Sequence, residues 1–346
     1  MLDTPGTQPG ARVRRIDIDD VRVTGGPHAN FPLLVSVTAP WLATTGFGGN
    51  VARSDAFDLY FTADQAGTMQ LAHEVEAYAE DAGTLTAWVK IPSLTAQTAL
   101  YIHYGDPMLA NDPQNVAAVW SGYEAVFHLD AFSDAAGKNP QIVAVTSGAV
   151  AGRIDVARAF DGDDDSVDVG SATAIDDIFT GGGTAEAWFY AETFGEGTYG
   201  RIFEKGHVAG WSIFVNNTER ASSTGFLHGT TTGDWGWWNT PASSITLNAW
   251  HHVAVVYSRD SSANNALMYL DGAPVAVALI DAPTGTMVSD ASQPLRLGNR
   301  PALDRTFDGL LDELRLSTVV RGDGWLATQV RNQVDPAAFA PIGPEL

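Results

Sequence analysis

Cysteine is absent from all 346 residues, which excludes disulfides, zinc–thiolate centres, iron–sulfur clusters and cysteine nucleophiles together. Lysine is almost absent. Lys90, Lys138 and Lys205 are the only ones, so a cationic patch would have to be built from arginine. No run approaches the about 18 apolar residues that a membrane-crossing helix needs, so no membrane insertion is expected. The first fifteen residues, MLDTPGTQPGARVRR, carry no apolar segment of the kind a signal peptide requires. Positive charge is scarce overall: 19 basic against 41 acidic residues leave a net charge of −22. Sequence-independent nucleic-acid binding runs on Lys and Arg neutralising phosphates, so nucleic acid is not an expected partner. Docking on anionic lipid is disfavoured for the same reason. Gly-x-Ser-x-Gly elbows, His-Glu-x-x-His helices and phosphate loops are missing as well.

What is present is a chain 45% hydrophobic and 10% aromatic, too apolar to stay disordered despite its charge. Its length suggests about two domains. An acidic, cysteine-free, Gly-rich composition is common among exported bacterial proteins. The proline-rich end, from Pro336, reads as a linker. The expectation is an extracellular or cell-surface fragment, with other domains of a longer parent protein among its partners.

Periodicity is that of strands almost throughout. Phe31 to Thr38, Leu85 to Ile91, Ala99 to Tyr104, Ala185 to Glu192, Trp211 to Asn216, His251 to Arg259 and Leu310 to Ser317 are short, rich in β-branched and aromatic residues, and bounded by turn signals. Leu267 to Val275 reads as a hairpin, because Asp271-Gly272 supplies the positive-φ residues a tight turn needs. One helical window, Trp325 to Asn332, follows Gly322-Asp323-Gly324, with Asp323 as its cap. Punctuation at Gly105-Asp-Pro and Asn111-Asp-Pro places a boundary that divides the chain into 1–117 and 118–346. Residues 130–152, poor in large side chains, read as a loop. The fold class expected is all-β, two β-sandwich domains, the second jelly-roll-like, with a short C-terminal helix.

Asp58-Leu-Tyr-Phe-Thr, Glu74-Val-Glu76, Thr86-Ala-Trp88-Val-Lys-Ile-Pro and Tyr101-Ile-His-Tyr104-Gly-Asp-Pro, in that order, resemble the bacterial domain of unknown function 2341. That family carries no established activity, so the resemblance names a module without giving it chemistry. The later part resembles the laminin-G-like branch of the concanavalin A-like lectin/glucanase superfamily. The matching pieces are Ala159-Phe-Asp-Gly162, Glu186-Ala-Trp188-Phe, Ile202-Phe-Glu-Lys205-Gly, Trp250-His-His-Val, Tyr269-Leu-Asp-Gly272, Leu297-Gly-Asn and Phe307-Asp-Gly309-Leu-Leu-Asp312-Glu-Leu-Arg315. Trp325 and Arg331-Asn332-Gln333 resemble the tail that closes this two-module pairing. The resemblance implies a fold and no single function, because lectins, adhesion modules, hydrolases and lyases share it.

Two groups of residues carry candidate chemistry. Calcium takes six to eight hard oxygens, which acidic, Gly-containing loops supply. The resemblance implies a structural Ca2+ held between two segments here, with Asp161, Gly162, Asp163, Asp308 and Asp312 as candidate ligands; Asp164 and Asp165 lie in the same loop. The plainer reading is that these aspartates cap turns. The second group is His228 to Asn239, where Asp234, Trp235, Trp237, Trp238 and Asn239 crowd a polar, Gly-rich stretch. An indole stacks on the apolar face of a sugar while Asn or Asp bonds its hydroxyls. Strand alternation sends Trp235 and Trp237 to one face, which leaves Trp238 expected outside. Trp88, Trp188 and Trp250 read as core, His251-His252 as structural, and Glu74 and Glu76 as a solvated strand face.

Glu-x-Asp-x-x-Glu, the acidic strand of laminarinase-like members, finds no match in Asp312-Glu-Leu-Arg315. The reading is therefore a non-catalytic, extracellular carbohydrate-binding module pair with structural calcium. A glycan or polysaccharide is the expected partner, more readily a neutral one given the charge. The alternatives are a structural or adhesive part of a larger surface protein and, less favoured, a glycan-active enzyme.

Overall fold

The computed structural model describes residues 11–109, 111–130, 133–138, 144–206, 209–230 and 234–346. The chain divides into two compact units. One comprises residues 1–121 together with 327–346, the other residues 122–326. The division differs from the sequence expectation at the C-terminus, since 327–346 joins the first unit rather than the second. The side chain of Asn332 gives a physical reason. Buried beside the strand His28–Thr38, its Oδ1 accepts from Leu34 N (2.7 Å) and its Nδ2 donates to Leu34 O (3.0 Å). A buried backbone amide pair is thereby satisfied by the tail. The stretch read as a linker is folded too: Pro336–Phe339 is a helical turn and Ile342–Glu345 pairs antiparallel with Arg12–Asp17.

In the first unit, His28–Thr38, Thr84–Leu94 and His73–Ala79 form a three-stranded antiparallel sheet. A second sheet runs Ile342–Glu345, Arg12–Asp17, Ala99–Tyr104, Tyr60–Thr62. Alternation along the paired strands buries Phe31, Leu33, Val35, Leu100, Ile102 and Tyr104. Trp88 is fully buried, as expected. Glu74 and Glu76 are a correction. Instead of a solvated face they are half-buried acceptors, Glu76 Oε2 taking the Trp88 Nε1 proton (2.6 Å) and Glu74 Oε2 that of Trp120 (2.5 Å).

The second unit contains, among the described residues, two eight-stranded antiparallel sheets. The first is built on Trp250–Tyr257, Gly183–Ala191, Asp308–Ser317 and Val156–Asp161, with Leu267–Leu270 and Ala273–Val275 at one edge. Asp271 (φ 51°) and Gly272 (φ 77°) make the expected hairpin turn. The second sheet runs Ala278–Asp281, Trp235–Asn239, Ser223–Gly229, Trp211–Asn216, Arg201–Lys205, Leu295–Leu297, Val167–Gly170, Ala144–Val145. Between the sheets lie Phe127, Phe179, Phe189, Trp211, Ile213, Phe226, Trp238, Val253, Val255 and Leu311, all within one hydrophobic cluster. At about 25 cal/mol per Å² of apolar area removed from water, each such aromatic stabilises the fold by a few kcal/mol. The expected all-β sandwich class is what the chain adopts, with a C-terminal helix over Asp323–Val334. Asp323 is its first residue, and its carboxylate accepts from Tyr269 Oη (2.7 Å). No helix among the described residues is long and apolar enough to cross a membrane.

Candidate functional site

The tryptophan-rich stretch is a strand, not a loop, and its alternation decides the site. Trp235–Asn239 pairs with Ser223–Gly229 so that Trp238 faces Phe226 and Trp237 faces Leu227. Trp238 and Phe226 point into the sandwich, where their rings stack 5.8 Å apart, with Tyr257 5.2 Å from the indole. Trp238 is fully buried, which corrects the expectation that it lies outside. Gly236 shares that inner face and leaves room for the indole: a Cβ there would sit 2.1 Å from Trp238 Cη2.

Trp235 and Trp237 emerge on the opposite face and are half-buried. There they line a cavity of about 160 Å3 with Tyr199, Arg201, Phe214, Leu227, Arg300 and Arg305. The floor is aromatic. The rings of Tyr199, Phe214 and Trp237 form a triangle with centroid separations of 6.0, 6.0 and 6.2 Å. Gly225, opposite Phe214 on the neighbouring strand, makes space for the phenyl ring, since a Cβ would lie 2.5 Å from its Cζ.

Polar groups hold these rings in place. Asn239 is fully buried and its Oδ1 accepts from Trp237 Nε1 (2.7 Å), so it orients the indole rather than facing a ligand, contrary to expectation. Tyr199 Oη donates to Glu219 Oε1 (2.6 Å); burial and that carboxylate push the phenol above its ordinary value. Arg201 lies under Phe214, its guanidinium carbon 4.7 Å from the ring centroid, with Nε donating to Glu204 Oε2 at 2.8 Å. Burial raises the Glu204 carboxyl, and Arg201 opposes that shift. Arg300 donates through Nε and Nη2 to the two oxygens of Asp304, which holds the Asp304 carboxyl below the usual range. Asp234 is exposed at the start of the strand, accepts from Thr284 Oγ1, and does not line the cavity. Of the five expected ligand-binding residues the structure thus brings Trp235 and Trp237 to the groove.

Sequence reasoning missed the other six lining residues. Phe214 was legible: Trp211, Ile213 and Val215 take the inner face, which leaves an aromatic on the polar side. Tyr199, Arg300 and Arg305 sit outside the regular strands, and no periodicity points to them.

The acidic candidates separate. Carboxylate oxygens of Asp161, Asp164 and Asp165 approach within 4.8 Å of one another. Burial, with the charges of Asp161 and Asp164, raises the Asp165 carboxyl. A divalent cation relieves that kind of repulsion, so these oxygens fit calcium in kind. Gly162, at φ 76°, makes the turn and donates to Phe307 O (3.1 Å). Asp163 N donates to Asp161 Oδ1 (3.0 Å), while its carboxylate stands outside the cluster. Asp308 is the cross-strand partner of Asp161 and accepts from Thr193 Oγ1 (2.6 Å). Asp312 is a correction. It is fully buried, accepts from Ile154 N (2.9 Å), and lies four strand residues from Asp308, roughly 13 Å at about 3.3 Å per residue. One ion cannot reach both.

Among the tryptophans expected in the core, Trp188 is buried, whereas Trp250 is half-buried against Tyr190 at 5.7 Å. His251 Nδ1 contacts Asp271 Oδ2 (2.9 Å), a hairpin-bracing role.

Two packed antiparallel sheets make the second unit a β-sandwich, with an aromatic groove on one outer face. Residues 161–326 match the family model described as Concanavalin A-like lectin/glucanases superfamily, and residues 55–141 match that of a Domain of unknown function (DUF2341). The chain therefore carries a DUF2341 domain followed by a concanavalin A-like domain. No curated protein matches it. Among solved structures it is similar to the binding domain of Paraclostridial Mosquitocidal Protein 1, at 13% identity and TM-score 0.48 over 61% of this chain and 52% of that one. It is similar also to domain 4 of AbnA, an extracellular arabinanase from Geobacillus stearothermophilus, solved with arabinotriose, at 18% identity and TM-score 0.44 over 60% and 98%. A third is the botulinum neurotoxin serotype D ligand binding domain with N-acetylneuraminic acid, at 11% and 0.45 over 63% and 53%. The chain spans about half the length of the two toxin domains.

Proposed function

We propose that the second unit is a non-catalytic carbohydrate-binding module of an extracellular or cell-surface protein, with the Trp235–Trp237 groove as its binding site. The observation that carries this reading is an outward aromatic floor of half-buried Trp235, Trp237 and Tyr199 over buried Phe214, bordered by Arg300 and Arg305 and held in place by hydrogen bonds from Trp237 to Asn239 and from Tyr199 to Glu219. Such a floor takes the C–H face of a sugar, and the polar ring takes its hydroxyls. The cavity lining contains no carboxylate among the described residues, whereas glycoside hydrolysis uses two facing the scissile bond. Binding without cleavage is the better fit. The net charge of −22 favours a glycan that is neutral along most of its length. Calcium at Asp161, Asp164 and Asp165 would act as a structural brace for the loop that starts beside Asp308.

Titration with a panel of neutral polysaccharides, followed by tryptophan emission, tests the reading. A saturable change that free oligosaccharide competes away supports it. No response across the panel, or release of reducing sugar, would count against it.

A further inference from the structure

Two of the three guanidinium groups lining the groove are committed to carboxylates: Arg201 to Glu204 and Arg300 to Asp304. Arg305 is different. Its Nη1 donates to the Asp304 carbonyl (2.5 Å), and the nearest carboxylate oxygen, Asp304 Oδ2, is 4.0 Å away. Nε and Nη2 donate to no acceptor among the described residues. The guanidinium is nevertheless placed: besides that hydrogen bond, it lies 5.8 Å from the Tyr199 ring centroid and against Gly197, where a Cβ would come 3.0 Å from Nη1. With φ 62°, Gly197 suits that position twice over, by conformation and by space. A pre-positioned guanidinium edge with two parallel N–H groups matches the two oxygens of a carboxylate.

We infer that the groove selects a glycan whose terminal sugar bears one carboxylate, a uronic-acid type, which Arg305 receives through Nε and Nη2 while the ring rests on Trp237. The inference rests on the groove being the glycan site. A cavity of about 160 Å3, roughly half the smallest volume usual for a drug-sized ligand, is room for one sugar ring. The net charge of −22 does not forbid this. Screening at physiological salt confines each charge to about 8 Å, so the guanidinium beside the sugar decides the local preference. Further charges along the glycan would instead meet an acidic surface, so a polyanion is disfavoured where a single terminal carboxylate is not.

The test compares matched pairs on the full chain: methyl glucuronide against methyl glucoside, and methyl galacturonide against methyl galactoside, each titrated by tryptophan emission. At least one uronide should bind about tenfold more tightly than its neutral partner, the factor a charge-assisted hydrogen bond supplies. Arg305→Gln should erase that difference without lowering the melting temperature. Equal or tighter binding of the neutral sugar in both pairs overturns the inference and leaves the glycan groove standing. A preference that survives Arg305→Gln overturns it too. Silence from all four sugars overturns it as well. If the neutral polysaccharides bind through Trp237 in that case, only the carboxylate is lost, whereas no binding anywhere removes the groove reading with it.

Discussion

The inner and outer faces of the groove sheet are made by the same strands, one residue out of phase. On the inside, Trp211, Ile213, Phe226 and Trp238 meet the opposite sheet in a dry core. On the outside, Phe214, Leu227, Trp235 and Trp237 present the same kinds of side chain to a cavity bordered by arginine. The difference lies in what surrounds each ring. Inside, apolar neighbours, aromatic and aliphatic, enclose the rings, and the Trp238 indole donates to Asn265 Oδ1 (3.1 Å). Outside, Asn239, Glu204 and Glu219 hold the floor and its rim through hydrogen bonds, and Trp235 and Trp237 are left half-buried rather than enclosed. Tryptophan thus serves both faces of one five-residue strand, packed in the core at Trp238 and lining the outer cavity at Trp235 and Trp237.

The contrast predicts its largest effect at Trp238. Trp238→Ala removes a fully buried indole and should cost about 3 to 5 kcal/mol, read as a large drop in the denaturation midpoint. Trp235→Ala should cost far less. Comparable losses at the two positions would dissolve the distinction between the faces.

A pH titration sharpens the same comparison from the inner side. His228 packs among Phe179, Phe226 and Tyr257, and burial pushes its pKa down to about 4 from the ordinary 6.5. The folded state therefore holds it neutral. The stability this contributes is intact above pH 6.5 and is lost as the pH falls from there through 4, up to about 3 kcal/mol. His228→Phe should flatten that slope in the acid unfolding curve, and an unchanged slope would place the proton elsewhere.

Calcium addresses a region that belongs to neither face. Bound at Asp161, Asp164 and Asp165, calcium at roughly a hundredfold excess over a constant of about 10⁻³ M should stabilise the second unit by about 2.7 kcal/mol, read as a melting shift of roughly 5 to 10 °C against chelator. Asp165→Asn should remove the shift. Asp312→Ala should lower melting equally with calcium and with chelator, since Asp312 serves the Ile154 amide. A calcium shift that depends on Asp312 would refute that separation.

The smallest effect is expected in the first unit, away from either face. Asn332→Ala strands the N–H and C=O of Leu34 and should cost about 2 kcal/mol, checked by urea unfolding. A neutral substitution would mean that the tail is held by its strand pairing alone.

Much of this architecture was readable from residue order because local chemistry enforces it. Asp271-Gly272 had to be a turn, since few other pairs accept two positive φ angles. Period-two runs such as Trp211 to Asn216 had to be strands. Which face of Trp235–Asn239 looks inward was not readable, because both faces carry tryptophan and alternation has no sign. Cross-strand register supplies the sign, by setting Phe226 opposite Trp238. The acidic ligands failed for a related reason: Asp308 and Asp312 look adjacent in a motif but stand roughly 13 Å apart along one strand. The Pro- and Ala-rich end read as linker by composition, while Asn332 docks it through two hydrogen bonds that no local pattern announces.

The groove itself is tested most directly by a glycan and polysaccharide screen of the wild-type chain beside a Trp235→Ala/Trp237→Ala double variant, with melting recorded for both. The account predicts a saturable glycan signal in the wild type that the double variant loses, by about 1 to 3 kcal/mol for each anchor, while the inner-face core keeps it folded. Undiminished glycan binding by a folded double variant would contradict it.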